Sequence, residues 1–361
     1  MKILVVTGSS GGHIFPALSF IEALKESDKK IDTLLVLPKK SLRQESLPAS
    51  LKVKQISISV IKPGLGVGNL IALFNFFKGS FESLFLLLEY NPEVVVGFGS
   101  LNSIPLVLLA WIFRIRTLIH EQNVIPGRAN RVLAKFADKI ALSFSSTRDY
   151  LNVSREKMII TGNPIRKELK RIDRAEAFEF FGFNENKFTI LVVGGSQGSH
   201  RINMCFLEAI ANIPERSRFQ VVHICGQMDF DLLLKKYEDL DLKFALYPFL
   251  NEMQYAYSAA SLVISRAGAT TVAELLNFGL PAIIIPYPYA YAHQSSNAQV
   301  LETMGVARII KDDELDAQRL KQALLDLANN PEELKLMRLN FAVSIRPNAA
   351  DLLIKEALSF N

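Results

Sequence analysis

Short apolar runs alternate with longer segments of mixed polarity along the first half of this chain. The runs have the length of buried strands, and the longer segments carry apolar residues at helical spacing. This alternation predicts a parallel sheet with helical crossovers. The predicted strands are residues 2–6, 33–37, 52–58, 94–96, 117–119 and 139–142, and the predicted helices are residues 15–26, 69–89, 103–113 and 128–136.

The alternation stops at residues 161–166, where Gly and Pro occur without periodicity, and it then restarts. Such a break is typical of a linker. The strands predicted beyond it are 188–193, 220–224, 244–247, 262–264 and 282–285, with helices from about 201, 270 and 293 and three closing helical segments, the last at 349–358. Because 361 residues suffice for two cores, the sequence predicts an α/β protein of two Rossmann-like domains that face each other across a cleft.

The composition is that of a globular protein, with 49% apolar and 21% charged residues. Cys205 and Cys225 lack metal-ligand spacing, which favours a reducing intracellular compartment. The first apolar run is too short for the core of a secretory signal, so we expect no signal peptide.

The positive charge is concentrated in the N-terminal half. Residues 1–163 contain 20 Lys and Arg against 12 Asp and Glu, whereas residues 164–361 contain 21 against 24. A basic half favours an anionic partner, such as a membrane surface, a pyrophosphate-bearing lipid or nucleic acid. Ordinary surface lysines would explain the same imbalance.

The helix predicted at 69–89 carries more apolar residues than one packed face requires. Polar residues and a glycine interrupt it, so we do not expect a spanning helix, which needs about 20 mostly apolar residues. With Lys62 and Lys78 on its flanks, the segment predicts an apolar patch that lies on a membrane. The alternative is a helix that is buried on most sides.

A glycine-rich turn, Gly8-Ser-Ser-Gly-Gly-His13, follows the first strand and precedes a helix predicted to begin near Pro16. Backbone amides in such a turn bind phosphate oxygens. The spacing is not G-x-G-x-x-G, and Lys39 stands where a dinucleotide site has an acidic residue, which argues against a dinucleotide oxidoreductase. His13 is a candidate general base, although a lone histidine is more often structural.

Two further polar groups follow strands of the first half. His120-Glu-Gln-Asn123 comes at the end of a buried strand, where ligand groups gather in open α/β sheets. A hydrogen-bonded support of the loop is an equally good interpretation. Arg166, just past the linker, is suited either to a diphosphate or to an interdomain ion pair.

The second half contains a second set of turns at predicted strand ends. Gly194-Gly-Ser-Gln-Gly198 resembles a phosphate loop, and the small residues Ala267, Gly268 and Ala269 precede a helix predicted to open at Thr270 or Thr271. Glu274 lies one turn into that helix, and an amide cluster (Gln294, Asn297, Gln299) follows the next strand. An anion cradle, a carboxylate and amides together predict a nucleotide-sugar site without a metal or another cofactor.

Together and in this order, these segments resemble one family, the MurG N-acetylglucosaminyltransferases of peptidoglycan synthesis. The matching motifs span nearly the whole chain and are Ser10-Gly-Gly-His13 with Pro16, His120-Glu-Gln-Asn123, Gly162-Asn-Pro-Ile-Arg166, Gly194-Gly-Ser-Gln-Gly198, Arg266 through Glu274, and His293-Gln with Asn297-Ala. The resemblance implies the GT-B fold. It assigns residues 1–163 to an acceptor and membrane-facing domain, 164–344 to a UDP-sugar-binding domain, and a helix in 345–361 that packs back on the first domain.

By this resemblance, the enzyme transfers N-acetylglucosamine from UDP-N-acetylglucosamine to the muramoyl 4-hydroxyl of undecaprenyl-pyrophosphoryl-muramoyl-pentapeptide. The configuration inverts in a single displacement, and His13 takes the hydroxyl proton. Ser10, Gly11 and Gly12 are expected near the acceptor pyrophosphate. The implied location is the cytoplasmic face of the cell membrane, as a peripheral protein with no nucleic-acid partner.

The resemblance also implies how the donor is held. Glu274 is expected to bind the ribose hydroxyls, and the main chain at Leu250 the uracil edge. Asn123 and Gln294 are expected on sugar hydroxyls, with Arg166 beside the nucleotide. The contacts to diphosphate and sugar are assigned to Ser196, Ala269, Thr270, Thr271, Val272 and Ala273.

The chain departs from the family where Gly99-Ser-Leu101 replaces the common Gly-Gly-Tyr. This change favours an alternative, another GT-B UDP-sugar transferase that acts on a different lipid or glycan. A UDP-N-acetylglucosamine epimerase would need further carboxylates in the cleft. A nucleotide-sugar sensor without turnover is a third alternative, against which the presence of His13, Asn123 and Glu274 argues.

Overall fold

The computed structural model describes residues 1–27, 30–39, 47, 51–58, 67–195, 198–289, 293–342 and 348–360, with the backbone alone at 67–70 and 342. Within it the chain forms two compact units. The first consists of Met1–Arg166 and Arg346–Asn361, and the second of Lys167–Ile345. The described part therefore contains two α/β domains, as the alternation of strands and helices predicts.

The first unit is a parallel sheet of seven strands in the order β3-β2-β1-β4-β5-β6-β7. The strands are β1 (Lys2–Val6), β2 (Asp32–Pro38), β3 (Val53–Ile56), β4 (Val94–Gly97), β5 (Arg116–Glu121), β6 (Lys139–Leu142) and β7 (Met158–Ile160). The helices are α1 (Gly11–Ser27), α2 (Val67–Tyr90), α3 (Ser103–Ile112), α4 (Arg128–Leu133) and, from the end of the chain, α13 (Ala349–Leu358).

Both faces of this sheet are buried, which explains why its strands are continuous apolar runs. Leu4 and Val95 point into a core shared with α2, α3 and α4. The alternate residues Ile3 and Val94 point into a second core, which α1 and α13 complete. The C-terminal helix therefore packs on the first unit, where the Lys139 Nζ also lies 2.8 Å from the Glu356 carboxylate.

The second unit is a parallel sheet of six strands in the order β10-β9-β8-β11-β12-β13. Its strands are β8 (Phe188–Val193), β9 (Phe219–Ile224), β10 (Lys243–Tyr247), β11 (Leu262–Ser265), β12 (Ala282–Ile284) and β13 (Ala307–Ile309). Its helices are α5 (Arg174–Phe181), α6 (His200–Ala211), α7 (Phe230–Glu238), α8 (Met253–Ala259), α9 (Ala269–Phe278), α10 (His293–Thr303), α11 (Ala317–Ala328) and α12 (Pro331–Ala342).

Several boundaries differ from the sequence-based predictions. The prediction that α1 begins near Pro16 is wrong, because the Ser10 carbonyl already accepts from the amides of His13 and Ile14 and closes the first turn. Helix α9 begins at Ala269, one residue earlier than expected, and β3 is shorter than predicted. The sequence pattern missed β7 and β13, which have three residues each, and the short helices α5, α7 and α8.

Helix α2 is apolar enough to cross a membrane by length and composition, since residues Ile71–Tyr90 have a mean hydropathy of 1.5. The expectation that polar residues disqualify it on composition is therefore wrong. One face of α2 nevertheless belongs to the core of the first unit. A Cβ on Gly79 would lie 2.3 Å from the Ser57 carbonyl oxygen, Ser83 is fully buried, and the Glu82 carboxylate accepts from Lys39 Nζ at 2.9 Å.

Candidate active site

The first unit gathers three of its glycine- or amide-rich segments at one edge of the sheet. Strands β1, β4 and β5 are neighbours, so their carboxyl ends bring together residues 8–13, 98–101 and 122–123. This edge is where open α/β sheets bind ligands. His13 and Asn123, predicted from distant parts of the sequence, therefore lie at the same edge.

The His13 ring lies against two glycines. A Cβ on Gly8 would be 3.3 Å from its Cδ2 atom, and a Cβ on Gly99 would be 3.3 Å from its Cε1 atom. Gly99 has φ +80°, which glycine adopts without strain. Ser100, where the family commonly has glycine, has φ +70° and packs its side chain against Gly8. The backbone at Gly8 and Gly99 therefore packs against the imidazole of His13 and restricts its orientation.

Hydrogen bonds connect His13 to the strand-end motif on β5. Its Nδ1 lies 3.1 Å from Gln122 Oε1, and Gln122 Nε2 lies 3.1 Å from Nδ1 of His120. The Nε2 of His120 lies 2.9 Å from the Gly162 carbonyl oxygen. Burial of the His120 ring lowers its pKa to about 4, so this ring is neutral at physiological pH.

The Glu121 carboxylate acts as a support of the loop that follows β5. It is 1% exposed and accepts from the amides of Asn123 and Gly127 at 2.9 and 3.0 Å and from the Asn130 side chain at 2.8 Å. Its oxygens are thus satisfied within the loop. Of the two interpretations of this motif, loop support is correct for Glu121.

The other predicted residues of the first unit lie at or near α1. Ser10 and Gly12 are exposed, and a Cβ on Gly12 would meet no described atom within 4 Å, whereas one on Gly11 would lie 3.1 Å from the Phe15 ring. The guanidinium carbon of Arg166 lies 5.3 Å from the centre of the same ring. Arg166 is half-buried there, and both interpretations of its charge, a diphosphate and an interdomain ion pair, stay predictions.

The second unit presents a different kind of site at the carboxyl ends of β8, β11 and β12, which are neighbours. Helix α9 opens directly after β11 with Gly268 as its N-cap, and no side chain caps it. The first amides of a helix have no partner within the helix. Small side chains surround these amides, because the first turn comprises Ala269, Thr270, Thr271, Val272 and Ala273.

Neighbouring amide side chains hold this turn in place. The Gln294 Oε1 accepts from the backbone amides of Ala267 and Tyr287 at 3.1 and 3.0 Å, so it joins the ends of β11 and β12. Asn297 donates to the Ala267 carbonyl at 3.1 Å. The oxygen of Gln294 is therefore used structurally, and its amino group is the part that suits a sugar hydroxyl.

Arg266 is also tied to the protein. Its guanidinium donates to the Ile285 carbonyl at 3.1 Å and to Ser199 Oγ at 3.0 Å, and it pairs with the Asp312 carboxylate. These contacts connect β11 to the first residues before α6 and to β12. These contacts of Arg266 therefore hold the carboxyl end of β11 in place.

Glu274 lies one turn into α9 and is 8% exposed. Its Oε2 accepts from the Tyr257 hydroxyl at 2.7 Å, which fixes the carboxylate. One turn earlier, the buried Thr270 Oγ1 has no hydrogen-bond partner among the described residues. A buried hydroxyl without a partner, beside helix amides that have no partner within the helix, is suited to a bound oxygen.

The remaining predicted residues of the second unit are Ser196 and Leu250. Ser196 lies outside the described residues. Its loop closes on Gly198, where a Cβ would lie 2.0 Å from the Cys225 carbonyl oxygen and where φ is +77°. Leu250 is 5% exposed and follows β10.

Across the described ranges, no group of three or more His, Cys, Asp or Glu side chains is arranged to hold a metal ion. The sequence pattern does not reveal the roles of Gln122, Tyr257 and Ser199. Gln122 belongs to a polar motif at a strand end. Its position between two histidine rings cannot be predicted from that motif, because one of them, His13, is 109 residues away. Nothing in the pattern distinguishes Tyr257 and Ser199 from ordinary core and capping residues.

Comparison with known proteins gives matches along nearly the whole chain. Residues 3–142 match the family model for the glycosyltransferase family 28 N-terminal domain, and residues 189–353 match that for its C-terminal domain. A transferase of Desulforamulus reducens is 35% identical, with 98% of this chain and 97% of that protein covered, and one of Alkaliphilus metalliredigens is 36% identical with 99% of each covered. Both relatives are named UDP-N-acetylglucosamine–N-acetylmuramyl-(pentapeptide) pyrophosphoryl-undecaprenol N-acetylglucosamine transferase.

Solved structures agree with these matches. The crystal structure of MurG from Acinetobacter baumannii superposes with a TM-score of 0.78 at 25% identity, over 99% of this chain and all of that one. A UDP-N-acetylglucosamine 2-epimerase from Listeria monocytogenes superposes with a TM-score of 0.70 at 14% identity, over 100% of this chain and 97% of that one. The second likeness shows the shared GT-B fold alone.

Proposed function

The chain belongs to the UDP-N-acetylglucosamine–N-acetylmuramyl-(pentapeptide) pyrophosphoryl-undecaprenol N-acetylglucosamine transferases, the MurG family, and from this premise we propose its reaction. It transfers N-acetylglucosamine from UDP-N-acetylglucosamine to the 4-hydroxyl of the muramoyl unit of the lipid-linked acceptor. The observation that carries the proposal is the orientation of His13 between two glycines at the carboxyl edge of the first sheet.

In the proposed reaction, His13 takes the proton of the acceptor hydroxyl as the oxygen attacks C1 of the sugar. The bond from C1 to the UDP oxygen breaks as the new glycosidic bond forms, so the configuration at C1 inverts. General-base assistance of this kind contributes about 10²–10⁴-fold to rate. Ser10, Gly11 and Gly12 line the approach of the acceptor pyrophosphate, and a Cβ on Gly12 would meet no described atom within 4 Å.

The donor would be held by the second unit. The open first turn of α9, from Ala269 to Ala273, stabilises the charge of the diphosphate through its amides and the Thr270 hydroxyl. Glu274, fixed by Tyr257, accepts from the ribose hydroxyls.

The remaining donor contacts in this proposal come from both units. The amino group of Gln294 and the side chain of Asn123 meet sugar hydroxyls, and Arg166 neutralises part of the nucleotide charge. Ser196 and the main chain at Leu250 complete the donor site, at the phosphate and at the uracil edge.

The alternative function is transfer of the sugar from the same donor to a different lipid or glycan. The observation that favours it is the Gly99-Ser100-Leu101 segment, where Ser100 occupies a strained φ of +70° and Leu101 replaces the common aromatic residue. This change lies at the same edge as His13. It affects the acceptor rather than the donor.

The test of the reaction is UDP release measured with a short-chain analogue of the muramoyl-pentapeptide pyrophosphoryl lipid. We expect release from UDP-N-acetylglucosamine to depend on this acceptor, and release from UDP-glucose to be much slower. If UDP-N-acetylglucosamine binds but the acceptor does not stimulate release, the alternative function replaces the first.

We also propose that the first unit lies on the cytoplasmic face of the cell membrane as a peripheral protein. Helix α2 exposes an apolar stripe at helical spacing, in which each side chain is more than half exposed: Ile71, Phe74, Phe77, Phe81, Phe85 and Leu88. Trp111, Ile112 and Phe113, at the end of the neighbouring α3, are also exposed. An apolar stripe of this kind on a basic domain suits an anionic lipid surface rather than nucleic acid.

Vesicle flotation tests this location. The triple substitution Phe74→Ser, Phe77→Ser and Phe81→Ser should abolish binding to vesicles that contain anionic phospholipid. Leu336→Ser, which changes an exposed apolar residue of the second unit, should leave binding unchanged. Equal binding by the triple variant and the wild type would contradict the proposal.

A further inference from the structure

The hydrogen bonds around Gln122 carry an inference about the protonation of His13. Gln122 is fully buried and lies between the His13 and His120 rings. Its orientation is set by the protein, because two backbone carbonyl oxygens surround its Nε2 atom. These are the carbonyls of Phe98 at 3.2 Å and of His120 at 3.3 Å.

Carbonyl oxygens only accept hydrogen bonds, so the group beside them must be the NH₂ of the amide. The amide oxygen of Gln122 is thereby placed toward His13 Nδ1. An amide oxygen is an acceptor, so a hydrogen bond of 3.1 Å requires a hydrogen on that ring nitrogen.

The other end of the network leads to the same assignment. His120 Nε2 faces the Gly162 carbonyl oxygen at 2.9 Å, so this nitrogen carries the hydrogen of the neutral ring. Its Nδ1 is then an acceptor, which is what the NH₂ group of Gln122 requires at 3.1 Å. The backbone carbonyls of Phe98, His120 and Gly162 thus determine which atoms donate and which accept in the contacts of Gln122 with His13 and His120.

We propose that Gln122 is a positioning residue that holds neutral His13 as the Nδ1–H tautomer, which leaves the basic lone pair on Nε2. Only one nitrogen of a neutral imidazole is basic, so the tautomer decides which side of the ring accepts a proton. The consequence for catalysis rests on the proposed function, in which His13 is the base. The tautomer itself does not.

This network differs from one in which a carboxylate orients the histidine. After His13 takes the acceptor proton on Nε2, both of its nitrogens carry hydrogens and the Nδ1–H bond to Gln122 persists. A neutral amide does not accept the second proton, so the proton stays on His13 until it is released to solvent or product. His120 contributes orientation only, since burial keeps its pKa at about 4.

Nitrogen-15 NMR of histidine-labelled protein tests the assignment directly. The chain has five histidines, and comparison with the His13→Ala spectrum identifies the His13 signals. In the neutral His13 ring of the wild type, we expect a protonated Nδ1 and an unprotonated Nε2. An Nε2–H tautomer, or a mixture of the two, would overturn the proposal without the need for any variant.

Two substitutions at Gln122 sharpen the test. Gln122→Met has a similar size but no acceptor, so the fixed tautomer should be lost and kcat should fall about 10- to 100-fold, as for other orienting partners. The KM for UDP-N-acetylglucosamine should be unchanged. Gln122→Glu, whose carboxyl is kept protonated by full burial, has an acceptor oxygen toward His13 and a hydroxyl donor toward the carbonyls of Phe98 and His120, so it should retain the Nδ1–H tautomer.

Retention of the Nδ1–H tautomer in Gln122→Met, or its loss in Gln122→Glu, would contradict the role of Gln122. The role of His13 as the base of the proposed reaction fails in a different way, namely if His13→Ala retains full turnover. In that case the spectra would still decide whether Gln122 fixes the tautomer.

Discussion

Both units place a turn of small residues and then a helix at the carboxyl edge of a parallel sheet, but they use this arrangement differently. In the first unit, the first turn of α1 carries His13, whose ring is held by the neighbouring backbone and by Gln122. In the second unit, the first turn of α9 carries only small or medium apolar and hydroxyl side chains. The amide of Gln294 is directed back onto the backbone beside it.

In the proposed reaction, this difference separates two chemical tasks. Proton transfer needs one titratable side chain in a single tautomer. The side-chain contacts in the first unit therefore orient the His13 ring. Binding a diphosphate needs several amides that a ligand can approach closely, so the second unit keeps side chains away from the helix end. Substitution of His13 should therefore lower kcat, and substitutions around the first turn of α9 should weaken donor binding.

His13→Ala should give the largest effect. We expect kcat to fall by about 10²–10⁴-fold, the usual contribution of a general base. The Kd for UDP-N-acetylglucosamine, measured by calorimetry, should stay within a few-fold of the wild-type value because the proposed donor contacts lie elsewhere.

His13→Asn is the matched control for this substitution. Its amide can still donate to Gln122 but cannot act as a base. If His13→Asn restored turnover, His13 would be structural and the contrast between the two units would be lost.

Glu274→Ala should give the next largest effect, and this effect should be on donor binding rather than on kcat. Loss of a hydrogen bond to a charged group costs about 1.5–3 kcal/mol, which corresponds to roughly 10- to 100-fold in Kd for UDP-N-acetylglucosamine. The kcat at saturating donor should change little. Titration calorimetry and steady-state kinetics on the same preparation measure both quantities.

Tyr257→Phe provides a graded control, because it removes only the hydroxyl that holds the Glu274 carboxylate. Its effect on Kd should be smaller than that of Glu274→Ala. A large loss of kcat with unchanged Kd in either variant would show that the second unit contributes to the chemical step itself.

Gln294→Ala should give the smallest effect on the reaction and a clear effect on stability. It leaves the amides of Ala267 and Tyr287 without their acceptor, which should lower the free energy of unfolding by about 1–3 kcal/mol. Gln294→Glu keeps an acceptor oxygen and should unfold close to the wild-type temperature. Equal melting temperatures for Gln294→Ala and the wild type would show that this bridge is unimportant.

The sequence predicts the fold class and the family because its signals are local or carried by several motifs at once. Apolar runs indicate the parallel sheets, and the chain-wide set of motifs indicates the MurG family, both of which are confirmed. The small residues from Ala267 to Ala269 indicate a turn before a helix, and that helix begins at Ala269, one residue before the predicted start. Each of these features is a property of a short stretch of chain.

The errors arise where a structure depends on contacts distant in sequence. Strands of three residues such as β7 and β13 are stabilised by their neighbours and have no pattern of their own. The start of α1 was misplaced because Gly11 and Gly12, which usually indicate a loop, are included in the first turn. The contact of Gln122 with His13 exists only because β1 and β5 both adjoin β4.

The most direct test of the central claim is the structure of the product. We would incubate the enzyme with UDP-N-acetylglucosamine and the short-chain acceptor, isolate the lipid-linked product and determine its linkage by NMR. The account predicts a single added N-acetylglucosamine, joined to the muramoyl 4-oxygen in the β configuration. An α linkage, attachment at another position, or an unmodified acceptor with the enzyme folded and the donor bound would contradict it.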